Sequence, residues 1–185
     1  MFKIIVPVDG SKQAESAFSL ACSLANFRDA EIILMQVVEY PFEIYAGDVN
    51  SRTYPNPHMD PKLDKKIETK KETIQSRVEV YLECLAESVK DSQRKVSIEI
   101  REGPVVNAIL KAIDELEINM IVMSSTGKDQ NNLMMGSIAS RILREAQLPV
   151  ILMRDEPGNP TQSNSSGRKH PPERTINNHY DFLMT

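Results

Sequence analysis

Five short apolar runs alternate along this chain with stretches whose apolar residues return at helical spacing, and few folds accommodate that order. Each run is too short to be a helix, and each is followed by enough residues to cross back over a sheet. Strand, crossover helix and strand in repetition predict right-handed βαβ units. The result is an α/β, doubly wound, five-stranded parallel sheet with helices on both faces.

The first run, Phe2-Lys-Ile-Ile-Val-Pro-Val8, reads as a central strand with Pro7 near its end, where a ladder donor can be spared. Asp9-Gly10-Ser11 turns the chain, and Ser11 suits a helix N-cap ahead of Ala14, Ala17, Phe18, Ala21, Leu24 and Ala25. Residues 32–38 are apolar on both faces apart from Gln36, as expected of a strand covered on both sides. Prolines at 41, 55, 57 and 61, with Gly47, mark residues 40–61 as a long loop. A helix over about 61–91 carries Ile67, Ile74, Val78, Leu82, Leu85 and Val89 on one face. Residues 96–100 alternate as a half-exposed edge strand does.

Gly103-Pro104 opens a third helix, with Pro104 in its first turn and Val106, Ile109, Ile113 and Leu116 facing inward. Residues 118–123 form the fourth strand. A helix over 137–146 follows and is expected to bury Ile138, Ile142, Leu143 and Ala146, before the fifth strand at 149–153. After Asp155 periodicity is lost, and residues 155–185 read as a flexible tail.

The segment Ile121-Val-Met-Ser-Ser-Thr-Gly-Lys128, followed by Met135-Gly136-Ser137-Ile138, carries the most chemistry. A buried strand ends in a small-residue turn, and a short loop delivers Gly136-Ser137 to the start of an amphipathic helix. Glycines let backbone N–H groups approach an anion, and a helix N-terminus supplies unpaired donors and the positive end of a dipole. Phosphate cradle and simple strand–loop–helix turn both fit these residues. In a doubly wound sheet, ligands sit beyond the carboxyl ends of the strands where the strand order reverses. If the first and fourth strands meet there, Asp9 faces the 124–127 turn. A carboxylate accepts from an adenine amino group or a ribose hydroxyl but repels phosphate, so the combination points to a nucleotide rather than a free anion.

These pieces resemble the universal stress protein family over residues 1–154. The matching segments are Ile5-Val-Pro-Val-Asp-Gly-Ser11, Leu34-Met-Gln-Val37, Glu102-Gly-Pro104, Ile121-Val-Met-Ser-Ser-Thr-Gly127, Gly136-Ser-Ile-Ala139 and Leu148-Pro-Val-Ile-Leu152. The resemblance implies a Rossmann-like sheet in the order 3-2-1-4-5 and a homodimer formed through the last strand, Val150–Met153. It also implies ATP binding through a Gly-x2-Gly-x9-Gly-Ser/Thr pattern, with Mg²⁺ accompanying the nucleotide. Here Ser124 stands for the first glycine, Gly127 is the second, and Gly136-Ser137 is the last pair, with eight residues between the latter two glycines where the pattern has nine. Carried over residue by residue, the resemblance places Asp9 and the Val37 backbone near adenine. Pro7, Met123 and Ser124 then line the ribose side, and Gly127, Gly136, Ser137 and the Ile138 backbone hold phosphates.

Other candidates carry bland readings beside the sharp ones. Lys128 can reach a terminal phosphate or simply be solvated, and Leu133-Met134-Met135 suits core or a helix-entry contact. His58, His170 and His179 lack ligand-spaced acidic or cysteine partners, so no metal site is expected. Cys22 and Cys84 form no CxxC pair and read as reduced, inert thiols of a cytoplasmic protein. A net charge of −4 argues against a general nucleic-acid binder. No apolar run approaches the ~20 residues of a membrane span. With no Gly-x-Ser-x-Gly elbow, full Walker loop or paired carboxylates, no catalytic residue can be named, and slow ATP hydrolysis ranks behind two other functions. These are a nucleotide-responsive regulatory module of stress-response type and a dimeric interaction protein that binds no nucleotide.

Overall fold

The computed structural model describes residues 1–26, 30–40, 61–89, 95–126 and 135–154. Its elements are β1 (Phe2–Pro7), α1 (Lys12–Ala25), β2 (Ala30–Val38), α2 (Pro61–Glu87), β3 (Lys95–Glu102), α3 (Val105–Glu115), β4 (Met120–Ser124), α4 (Ser137–Glu145) and β5 (Val150–Met153). All lie within the compact unit Met1–Asp155. The strands form one parallel sheet in the order β3-β2-β1-β4-β5. This is the order that the resemblance implied.

The period-two alternation of the strands divides the core into two layers. Ile4, Val6, Ile32, Leu34 and Val122 pack with Ala14, Ala17, Phe18 and Ala21 of α1 and Val78 and Leu82 of α2. Ile5, Ile33, Met35, Ile121 and Met123 pack on the opposite face with Val106, Ile109 and Ile113 of α3 and Ala139 and Ile142 of α4. Consecutive residues of β1, β2 and β4 thus serve different helix pairs, which is why those strands read as unbroken apolar runs.

No side chain of β3 is fully buried, as befits an edge strand. One face carries a row of polar bonds. Lys95 Nζ and Ser97 Oγ reach the two carboxylate oxygens of the largely buried Glu31 at 3.1 and 3.2 Å. Further along the same face, Arg101 bonds Glu99 and, at 2.6 Å, Glu115 at the end of α3.

Helix ends follow local chemistry. Ser11 Oγ accepts the Ala14 amide at 3.2 Å, so the expected N-cap of α1 is in place. Helix α3 closes with the Ile118 amide on the Ile113 carbonyl at 3.0 Å and the Glu117 amide on Asp114 at 3.4 Å, a Schellman pattern. It puts Glu117 at φ 54, the left-handed region that favours glycine.

Three local expectations change. Pro104 is the N-cap of α3, at φ −61 and ψ 120, rather than a residue of its first turn. In α4 the buried residues are Ala139 and Ile142, whereas Ile138 and Leu143 are 39% and 47% exposed. This short helix touches the sheet along one narrow stripe, and Ile138 and Leu143 flank it on either side. Of the two places expected for Met135 the core is ruled out, since it is 46% exposed; it stands at the helix entry, directly before the α4 N-cap.

Tyr40, where the expected loop begins, lies beyond the end of β2 and in no helix or strand, yet it is buried. Its hydroxyl donates to Glu102 Oε1 at 3.0 Å, an oxygen that also takes Gln75 Nε2 at 2.6 Å, and Lys71 lies 5.1 Å from its ring centroid. The other long-loop residues up to Asp60, with His58 among them, lie outside the described residues, as do the 155–185 tail, Lys128, Leu133, Met134, His170 and His179. No described helix is long and apolar enough to cross a membrane.

Candidate nucleotide site

β1 sits between β2 and β4, and the strand order reverses on its β4 side. The β1–β4 register pairs Ile4 with Met120 and Ile5 with Ile121. Toward β2 the ladder runs on, with the Val8 amide donating to the Met35 carbonyl at 2.8 Å. Successive amides of a strand point to opposite sides, so the imino nitrogen of Pro7 falls on the β4 side, where no ladder partner waits. This is why a central strand tolerates proline at that position.

A cavity of about 250 Å³ opens there. Pro7, Val8 and Asp9 form its β1 wall, and Met123, Ser124, Ser125 and Thr126 form its β4 wall. Ala14 of α1 and Val105 and Ile109 of α3 add apolar surface, and Gly136, Ser137, Ile138 and Ala139 close the side at the start of α4.

Asp9 is exposed at the rim, and its Oδ1 accepts the Ser11 amide at 3.0 Å, which holds the turn into α1. Behind this turn the Tyr81 hydroxyl donates to Glu15 Oε1 at 3.4 Å. Burial raises the Tyr81 pKa well above the usual phenol value, and the charges of Glu15 and Asp9 add to the effect. Burial also raises the Glu15 carboxyl, against the Tyr81 hydrogen bond and the charge of Lys12.

The β4–α4 side is organised by backbone. The Ser125 amide donates to the Met153 carbonyl at 2.8 Å, and the Ser125 carbonyl accepts the Gly136 amide at 2.8 Å. Gly136, at φ −63 and ψ 153, is the N-cap of α4, and its carbonyl takes the Ser140 amide at 2.9 Å. Its own amide is therefore engaged in holding the turn. The amides of Ser137, Ile138 and Ala139, one step further on, belong to the first turn, which has no intrahelical acceptors. They supply the donors and the dipole end that suit a phosphate. Among the described residues no group of three His, Cys, Asp or Glu side chains converges to hold a metal ion.

Pro7, Asp9, Met123, Ser124, Gly136, Ser137 and Ile138 thus line one cavity. Val37 does not line it; it lies on β2 opposite Arg101. Gly127 lies outside the described residues. Ser125 and Thr126 were missed as site residues, although both are buried and both stand inside the motif segment. Their signal was available: two small polar residues between an apolar strand and a glycine.

The sequence model of the universal stress protein family matches residues 1–154. The chain belongs to this family. It is 26% identical over 153 residues to a universal stress protein of Methanocaldococcus jannaschii, covering 82% of this chain and 81% of the relative. Among solved structures it resembles the universal stress protein UspA of Lactobacillus plantarum, at 25% identity and a TM-score of 0.58, over 83% of this chain and 97% of that one. A universal stress protein family member from Arabidopsis thaliana with AMP bound shares the fold at 14% identity and a TM-score of 0.54, over 85% of this chain and 94% of that one.

Within this universal stress protein, Ser124 fills the position of the first motif glycine without strain. Glu117 is the only non-glycine residue with positive φ among the described residues. The Ser124 hydroxyl donates to the Thr126 carbonyl at 2.7 Å and tightens the turn that glycine would otherwise make.

Proposed function

We propose that this chain is a stress-type regulatory protein that binds ATP or another adenine nucleotide in the crevice between β1 and β4. One observation carries the reading. The rim carboxylate of Asp9 and the first-turn amides of Ser137, Ile138 and Ala139 border the same cavity at the strand-order reversal. The carboxylate suits the base or sugar hydroxyls, and the amides suit phosphate oxygens. The AMP carried by the Arabidopsis thaliana relative supports the same ligand class. Mg²⁺ enters with the nucleotide, held by phosphates rather than by a protein carboxylate set. The family resemblance assigns a phosphate role to Gly127, which lies outside the described residues, and an adenine role to the backbone of Val37 on β2.

The protein works as a cytoplasmic homodimer joined through β5. That strand, Val-Ile-Leu-Met, is an uncharged edge whose side chains are half-buried. Nucleotide occupancy would bias the dimer or the 40–61 segment only as far as the ligand's affinity differs between two states. The chain is read as non-catalytic, since no general base is identified; weak ATP hydrolysis is the third-ranked activity.

The eight-residue connection between Gly127 and Gly136 favours a second reading, a dimeric interaction protein of the same fold without nucleotide. The purified protein should be denatured and its released small molecules identified, then the emptied protein titrated with ATP and Mg²⁺. Retained or saturable adenine nucleotide is the expected result. Absence of binding at millimolar ATP would overturn it in favour of the interaction protein.

A further inference from the structure

The last strand reaches the crevice through its final residue. Toward β4 the bonds leave β5 from alternate positions: the Ile121 amide donates to the Pro149 carbonyl at 3.0 Å, and the Ser125 amide to the Met153 carbonyl at 2.8 Å. A strand residue turns its N–H and C=O to one side, and the next residue turns both to the other. Ile151 and Met153 therefore face β4, whereas Val150 and Leu152 aim their N–H and C=O groups off the edge of the sheet. Ser125, in turn, is buried and lines the cavity, and its carbonyl takes the Gly136 amide at 2.8 Å. Gly136 is the N-cap of α4, whose first turn borders the same cavity. The end of β5, the β4 wall and the entry of α4 are thus joined by two bonds at one residue.

β5 has only four residues, all half-buried, and lies at the margin of the sheet. A short strand held on one side opens at its end more easily than strands inside the sheet. Opening there takes the acceptor from the Ser125 amide and loosens the residue that holds the α4 cap. A partner strand on Val150 and Leu152 keeps the same end shut. A ligand braced between the β4 wall and the α4 entry binds the shut form better than the open one. Both events select one state, so each favours the other, and by equal factors.

We propose that β5 couples the two: strand pairing along its outer edge and nucleotide occupancy of the crevice strengthen each other through Ser125. The proposal rests on the nucleotide and dimer readings above and adds a route and a sign to them. Because the moving part is the end of one short strand, the coupling is about fivefold, the low end of the usual allosteric range.

The test is sedimentation equilibrium of the full chain with and without saturating ATP, beside calorimetric titration of the wild type and Leu152→Pro with ATP. Leu152→Pro deletes an N–H that points off the edge and leaves Ile151 and Met153 to bond β4. ATP should lower the dimer dissociation constant of the wild type about fivefold. Leu152→Pro should stay monomeric and bind ATP weaker than the wild-type dimer by about the same factor. A dimer constant unmoved by saturating ATP would overturn the proposal and leave the nucleotide site standing. Monomeric Leu152→Pro that binds ATP as tightly as the dimer would overturn it too. A wild type that is monomeric at every concentration removes the dimer reading and the proposal with it. Absence of ATP binding, which calorimetry reads directly, removes the nucleotide reading and the proposal together. The wild-type comparison decides the matter even if Leu152→Pro does not fold.

Discussion

The amide of Gly136 donates to the carbonyl of Ser125 across 2.8 Å, and the Ser125 amide in turn donates to Met153, the last residue of β5. One buried residue, Ser125, thus ties the entry of α4 to the end of an edge strand. Gly136 holds φ −63, a value open to any residue and native to proline. Gly136→Ala should therefore cost about 0.5 kcal/mol, the difference between glycine and alanine at an N-cap. Gly136→Pro matches the dihedral but deletes the donor, orphaning the Ser125 carbonyl at about 1–3 kcal/mol. Urea unfolding midpoints measure both. Equal costs for the two variants would mean that the bond does not anchor the turn.

Two neighbouring residues at the start of α1 separate stability from binding. Ser11→Ala removes the side-chain cap on the Ala14 amide and should cost about 1 kcal/mol, with nucleotide affinity unchanged. Asp9→Ala removes the bond to the Ser11 amide and the rim carboxylate together. It should lower both the melting temperature and nucleotide affinity, the latter by roughly fivefold or more. If Asp9→Ala binds nucleotide as the wild type does, Asp9 is a turn residue only.

Glu117 closes helix α3 at φ 54, where a side chain is strained. Glu117→Gly relieves that strain and keeps the Ile118 amide on Ile113. A gain of about 1 kcal/mol is expected, read as a higher urea midpoint with unchanged slope. A loss of stability would show that the Schellman turn depends on the Glu117 side chain.

Glu15 gives stability a pH dependence of definite sign. Its carboxyl is raised above 4.5 by burial, so folding favours its protonated form. The folded state gains when pH falls through the raised value toward 4.5 and loses that gain as pH rises again. Glu15→Gln, which can still accept from Tyr81, should stabilise the protein at pH 7 and lose its advantage near pH 4.5. Glu115 acts in the opposite sense: its Arg101 hydrogen bond lowers its pKa, and that contribution fades as pH falls below 4.5. Thermal melts of the wild type, Glu15→Gln and Glu115→Gln, from pH 7 to well below 4.5, separate the two. An advantage of Glu15→Gln that persists undiminished at pH 4.5 would reject the burial explanation.

Much of the architecture was legible because alternation along a strand and spacing along a helix are local signals. Residues 2–8 and 32–38 show that a strand is covered twice, and the helix stripes show what covers it. Non-local bonds left no such trace. That the Gly136 amide is engaged with Ser125 depends on a partner eleven positions away. The glycine signalled a close approach, but not whether the approaching group was a ligand or the chain itself. Tyr40 was absorbed into a proline-rich window, although its burial depends on Glu102, Gln75 and Lys71 from distant elements. The exposed flanks of α4 were misread because a nine-residue helix with four apolar positions presents more apolar width than its contact uses.

The outer strands of the sheet are chemically unlike. β3 carries Lys95, Glu99 and Arg101 along its margin, engaged with Glu31 and Glu115, whereas β5 is Val-Ile-Leu-Met. Endless lengthening by strand pairing needs two receptive margins per copy, and here there is one. Two copies meeting at β5 would turn only charged margins outward. Growth would stop after a single step, so the same asymmetry that invites a partner also forbids a ribbon.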